Sequence, residues 1–222
     1  MHILNDKNID ALEDINFSME EGEIIGLTGK SGSGKSSLMK CIYGTYLVNE
    51  GSIWYESDTF GRIDLVAASE HEILQIRRNE MTYCSQFLQV IPRVPALEVV
   101  GEQLILDGVG HDEAIETAKT FLDRLSLPQE LWDAYPSTFS GGEQQRINVA
   151  QAIISSPRFL LIDEPTASLD VKTKDVVIEM ILELKRNGTS VILITHDEYT
   201  LEKLADRQLK LVDGKLQELA TA

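Results

Sequence analysis

An α/β fold built around a phosphate-binding loop is what this 222-residue chain predicts, on three observations. Gly29, Lys30, Ser31, Gly32, Ser33, Gly34, Lys35 and Ser36 read G-x-x-x-x-G-K-S, between a strand-like apolar run at 23–28 and a helix-forming run at 37–43. From residue 158 onward, buried-strand patterns alternate with helical ones. One of those strands, Phe159-Leu160-Leu161-Ile162, runs directly into two acids, Asp163 and Glu164.

The loop pattern has a physical reading. Glycines let backbone N–H groups converge on an anion, and the N-terminus of the following helix adds a favourable dipole. Lys35 then reaches the outer phosphates, the Ser36 hydroxyl sits on Mg²⁺, and Ser37, at the helix start, is expected with the loop among the ATP-binding residues. In an open α/β sheet, ligands lie beyond the carboxyl ends of the strands, so Asp163 and Glu164 should emerge beside this cradle. An acid at Asp163 can hold Mg²⁺ through water. One at Glu164 can polarise a water attacking a γ-phosphorus.

The remaining elements follow in order. Near-alternation of Ile9, Leu12, Ile15, Phe17 and Met19 predicts a half-buried strand that turns at Glu20-Glu21-Gly22 into the strand before the cradle. The next helix should bury Leu38, Cys41 and Ile42. Short strands are expected at 51–55, 63–66 and 81–84, with a helix at 70–78 before the last. Pro92 and Pro95 forbid a continuous helix through 87–95. Helices follow at 96–106, 113–125 and 141–154. Then come a strand at 158–163, a helix at 173–186, a buried strand at 190–195 and a helix at 197–205. Asp213-Gly214 should join strands 208–212 and 215–217 as a two-residue hairpin. A helical insert thus separates two strand-rich portions.

Composition excludes several classes. The net charge of −16 opposes nucleic-acid or anionic-lipid binding at long range, and no apolar run is long enough to span a bilayer. Residues 1–7 lack the apolar segment of a signal peptide, which predicts a cytosolic protein. Cys41 and Cys84 lack metal-ligand spacing and read as reduced core cysteines. Trp54 and Trp132 read as core or edge packing, and Arg77-Arg78 as a solvated helix end.

Phe139-Ser140-Gly141-Gly142-Glu143-Gln144-Gln145-Arg146, then Asp163-Glu164-Pro165-Thr166-Ala167-Ser168-Leu169-Asp170, then His196, resemble the motifs of ATP-binding-cassette (ABC) ATPases. The resemblance covers nearly the whole chain, with five motifs in the family's order. It implies a P-loop NTPase of the ABC type over 1–222. Residues 1–85 would form an antiparallel β subdomain and the first part of a RecA-like core, 86–157 a helical subdomain, and 158–222 the rest of the core. It also implies ATP and Mg²⁺, held by the cradle with Gln86, Ser36 and Asp163, and catalysis by Glu164 and His196. Ser140, Gly141, Gly142 and Glu143 would form a signature that contacts ATP held by a second subunit, and Asp170 would lie on the loop crossing that interface.

Two departures accompany the resemblance. Glu143 stands where the family usually has Gln, adding a carboxylate near a triphosphate. No Phe, Tyr or Trp precedes Phe17, so the aromatic that the family stacks on adenine is unassigned, His2 being a weak substitute. Residues 41–47 and 85–97 further resemble the L-type ATP-binding subunit of the phosphonate carbon–phosphorus (C–P) lyase system. That implies an ATPase docked on a soluble lyase core complex. The shared motifs equally suit the cassette of a membrane permease, of exporter type. Glu143 and the missing aromatic motivate a third reading, a nucleotide-sensing module with negligible turnover. The segment from Gln86 to Ala96 offers either a docking ledge, through Phe87-Leu88 and the prolines, or a loop packed on the helical portion.

Overall fold

A computed structural model describes residues 12–89 and 92–219. Its centre is a six-stranded sheet in the order β4-β5-β6-β1-β7-β8. The strands are β1 (Ile24–Thr28), β4 (Met81–Cys84), β5 (Phe159–Asp163), β6 (Ser190–Ile194), β7 (Arg207–Val212) and β8 (Lys215–Leu219). All neighbours are parallel except β7 and β8. Asp213 (φ 47°) and Gly214 (φ 79°) join that antiparallel pair. Both angles are positive, as a type I′ turn requires. A separate hairpin pairs β2 (Trp54–Ser57) with β3 (Gly61–Asp64).

The central strands read as continuous apolar runs because both sheet faces are covered. On β5, Leu160 and Ile162 face a core with helices α3 (Ala96–Leu106), α4 (His111–Arg124), α5 (Gly141–Ile153) and α6 (Val171–Arg186). Phe159 and Leu161 face the other core, with α1 (Lys35–Ile42) and α2 (Glu70–Asn79). The last helix, α7 (Glu198–Leu204), follows β6. The helix at α2 begins with a capping box, Ser69 accepting from the Glu72 amide while the Glu72 carboxylate accepts from the Ser69 amide.

Several expectations change. Residues 12–20 keep the alternating burial, and Leu12, Ile15, Phe17 and Met19 pack against the α1 core, but they form no strand. The hairpin into β1 is ruled out because β6 and β7 already occupy both edges of β1. The strands expected at 51–55 and 63–66 shift to the β2–β3 hairpin. On α1, Met39 is fully buried, whereas Cys41 is only half-buried. Cys84 is buried as expected. Trp54 is 58% exposed, with the Arg62 guanidinium 4.9 Å from its ring centroid, while the Trp132 indole donates to the Leu127 carbonyl. Arg77 is not a free helix end: its Nε donates to the Tyr43 carbonyl at 2.8 Å, and its guanidinium lies over the Tyr43 ring. His2 and residues 90–91 of the ledge lie outside the described residues.

Candidate functional site

Four adjacent strands deliver the predicted residues to one end of the sheet. In spatial order, β4 leads to Gln86, β5 ends in Asp163 and Glu164, β6 leads to His196, and β1 leads to the loop 29–36. Gln86, Asp163, Glu164 and His196 line one groove with Ser31, Gly32, Gly34, Lys35, Ser36 and Ser37. This is the carboxyl-end crevice that a parallel sheet provides for ligands.

The loop is held open by backbone geometry. Gly29, Gly32 and Gly34 have φ of 143°, 79° and 103°. At Gly29 a Cβ would stand 2.4 Å from the Leu211 carbonyl oxygen, so only glycine fits between the cradle and β7. Lys35 is 7% exposed, and its ammonium donates to the carbonyls of Gly29 (2.8 Å) and Lys30 (3.0 Å). Burial pushes its pKa down, against the opposing pull of Asp163 and Glu164.

The acids sit deep. Asp163 is 5% exposed and accepts from Ser36 Oγ at 2.8 Å. Burial raises its pKa, partly offset by that hydrogen bond and by Lys35. Glu164 adopts φ 53°, an uncommon conformation for a residue with a Cβ, and its amide donates to the Ile194 carbonyl at 2.8 Å. Its Oε1 is buried without a hydrogen-bond partner, 3.7 Å from His196 Nε2. Burial raises the Glu164 pKa too, with His196 opposing. His196 itself remains largely open to solvent. Its loop is fixed by Asp197, which caps α7 and accepts from Lys174 Nζ at 3.0 Å.

Mg²⁺ is a hard cation that takes one or two protein oxygens and completes its shell with water and phosphate. The pair Ser36 Oγ and Asp163 Oδ2 fits that description. Among the described residues no group of three His, Cys, Asp or Glu side chains could hold a metal alone. Four buried side-chain polar atoms there lack a partner, and two of them, Ser33 Oγ and Glu164 Oε1, belong to this region. Such orphans are expected where a ligand supplies the missing partner.

The signature lies elsewhere. Ser140, Gly142, Glu143 and Asp170 do not line the groove; Gly141 lines a small cleft with Gln86, Phe87 and Leu88. Ser140 caps α5, whose first turn holds Gly141, Gly142 and Glu143. The Glu143 carboxylate accepts from Ser140 N (2.8 Å) and Ser140 Oγ (2.7 Å), so it is folded back on its own helix start rather than projecting. Those bonds hold its pKa down. Asp170 caps α6 through the Thr173 amide and hydroxyl. Phe87 is 73% exposed beside the buried Leu88.

Two polar residues of α5 escaped the sequence reading. Gln145 and Asn148, one turn apart and both buried, point inward from an otherwise apolar face. Gln145 Nε2 donates to the carbonyls of Glu164 (3.3 Å) and Pro165 (3.2 Å), and Asn148 Nδ2 to that of Ser85 (2.6 Å). The signal that could have found them is polarity at helical spacing on a core-facing stripe.

The family model described as ABC transporter matches residues 12–167. The lipoprotein-releasing system ATP-binding protein LolD of Geobacter metallireducens is 35% identical, over 94% of this chain and 90% of its own length. The putative hemin import ATP-binding protein HrtA of Staphylococcus epidermidis is 35% identical over the same shares. The probable syringafactin export ATP-binding/permease protein SyfD of Pseudomonas syringae is 34% identical over 96% of this chain, which spans only 32% of that protein. The dimeric ATP-binding cassette MJ0796, solved in a post-hydrolysis state with ADP and Pi, superposes with a TM-score of 0.88 at 28% identity, covering 100% of this chain and 96% of the other.

Proposed function

This chain belongs to the ABC transporter family of ATP-binding cassettes, and on that premise we propose that it is the ATPase subunit of a membrane transporter, working as a pair of cassettes. As a member of that family it binds ATP with Mg²⁺ and hydrolyses the nucleotide. No described helix is long and apolar enough to cross a membrane, so the permease would be another chain or segment.

The observation that carries the reading is the split site. One groove gathers the cradle, Asp163, Glu164, His196 and Gln86, while Ser140 opens a helix outside it. A helix N-terminus is an anion site, and the start of α5 would complete such a groove from a second subunit. In this arrangement the loop amides and Lys35 bind the phosphates, and Lys35 exchanges the Gly29 and Lys30 carbonyls for phosphate oxygens. Ser36 and Asp163 would hold Mg²⁺, which would supply neutralisation of the phosphate charge. Glu164 accepts a proton from the water that attacks the γ-phosphorus as the β–γ bridging P–O bond breaks, and His196 orients Glu164 and that water. Ser140, Gly141 and Gly142 of the opposite subunit close on the γ-phosphate, and Asp170 lies on the segment between the two sites. The Glu143 carboxylate occupies the Ser140 amide and hydroxyl donors at the start of α5, so contact of Ser140 with a phosphate would require Glu143 to release them.

Support for the transporter comes from relatives named for lipoprotein release, hemin import and syringafactin export. Residues 41–47 and 85–97 motivate a second reading, an ATPase attached to a C–P lyase core; none of the relatives named here belongs to such a system. Affinity purification of the tagged chain from detergent-solubilised cells separates the two. An integral membrane protein in stoichiometric amount supports the transporter, and recovery of soluble lyase enzymes alone refutes it. Glu164→Gln should trap an ATP-bound dimer on sizing chromatography; a persistent monomer with ATP bound would count against the paired mechanism.

A further inference from the structure

Glu164 is the residue whose position matters most for attack on the γ-phosphorus, and it lies just beyond the end of its own strand. It stands one residue into the turn after β5, at φ 53°, with an unpartnered carboxylate oxygen. Within the turn, the Ala167 amide reaches the Glu164 carbonyl at 3.4 Å and the Leu169 amide reaches the Thr166 carbonyl at 3.3 Å, lengths similar to the two Gln145 bonds. From outside, β6 holds the Glu164 amide through the Ile194 carbonyl at 2.8 Å, α7 meets Thr166 through the Thr200 hydroxyl at 3.2 Å, and α5 holds the carbonyl side of the turn. Gln145, 5% exposed, donates to both the Glu164 and Pro165 carbonyls. One turn earlier on the same helix, a Cβ on Gly142 would meet the Ser168 carbonyl oxygen at 2.9 Å, so backbone presses on backbone there. One turn later, Asn148 holds the Ser85 carbonyl, next to Gln86.

We propose that Gln145 is a positioning residue for Glu164, tying the turn that carries the water-activating carboxylate to the helix whose first turn faces the opposite subunit's ATP. The inference rests on the roles given above to Glu164 and Ser140. A helix is stiff along its axis, and Ser140 and Gln145 are separated by little more than one turn. A shift of α5 on binding the opposite γ-phosphate is therefore felt at Glu164 through the two Gln145 bonds and the Gly142–Ser168 contact. Each ATP site thereby reports on the other through one chain.

The test compares purified full-length wild type with Gln145→Met, which keeps shape but cannot donate, and with Gln145→Ala. Phosphate release across a MgATP series gives kcat and KM, and hydrogen exchange over residues 163–170 is followed in parallel. Both variants should lose about tenfold or more in kcat, because small misplacement of a reacting group is costly. KM should stay within about twofold of wild type, since the cradle is carried by β1 and α1. Exchange at 163–170 should quicken. Full kcat in Gln145→Met would assign the side chain to packing and overturn the proposal. Unchanged exchange over 163–170, or a KM rising in step with the loss of kcat, would overturn it equally. If wild type released no phosphate, the role given to Glu164 would fall, and the exchange comparison would still judge the Gln145 grip.

Discussion

Glu164→Gln should make the nucleotide-free protein more stable while removing turnover. The carboxylate is 13% exposed, and its Oε1 has no hydrogen-bond partner. An amide leaves a polar atom in the same place, so the gain is confined to removing a desolvated negative charge, the cost that raises the Glu164 pKa. The opposing loss is the His196 contact at 3.7 Å, with the imidazole 60% exposed. A pair that open to water is worth about 0–1 kcal/mol. Relief of that charge favours the amide, and for a chain of this size each 1 kcal/mol gained raises Tm by about 2–4 °C. Linkage adds a pH signature. Burial raises the folded-state pKa of Glu164 above its unfolded value, so the native state holds the proton more tightly. Its contribution to wild-type stability is therefore fully present below about pH 4 and is lost as pH rises through the folded pKa. The variant's advantage should be full at pH 7.5 and shrink toward zero in acid. Thermal unfolding by circular dichroism, in EDTA without nucleotide, measures both. A variant less stable than wild type at pH 7.5, or an advantage that does not change with pH, would refute the argument.

Three further outcomes follow from the same geometry. Lys35→Ala should weaken ATP binding about 100-fold or more, a loss of roughly 3 kcal/mol from charge-assisted bonds, read by nucleotide titration; unchanged affinity would contradict its contact. Ser140→Ala should leave ATP binding to the isolated chain intact, because Ser140 lies outside the groove, yet depress phosphate release. Loss of its cap should also lower stability by about 0.5–2 kcal/mol in thermal unfolding. Gly29→Ala should abolish nucleotide binding and lower stability by more than about 1 kcal/mol, since φ 143° and the Leu211 carbonyl both reject a Cβ; normal ATP titration would disprove that.

Much of this molecule was legible because its signals are local. A buried parallel strand reads as an apolar run, a phosphate loop as spaced glycines before Lys35-Ser36, and a hairpin as Asp213-Gly214. Strands β4 and β5 and helix α3 fell within a residue of expectation for that reason. The acids after β5 were correctly paired with the cradle, because parallel strands share one ligand-bearing end.

What stayed hidden depends on neighbours distant in sequence. Residues 12–20 carry the alternation of a strand, but β6 and β7 had already taken both edges of its intended partner. Arg77 looks like a solvated charge until α2 lies across the end of α1 and the Tyr43 carbonyl becomes its acceptor. Glu143 read only as an added carboxylate near a triphosphate, whereas the structure shows it accepting from two Ser140 donors within one helical turn. Gln145 is the sharpest case. Its residue type and helix were readable, but the carbonyls it holds lie 19 and 20 residues along the chain. Which chemical groups this chain owns, and the local elements that carry them, follow from the order of its amino acids. Which groups meet follows from packing, because edge occupancy and the burial of hydrogen-bonding atoms are properties of the packed sheet and helices together.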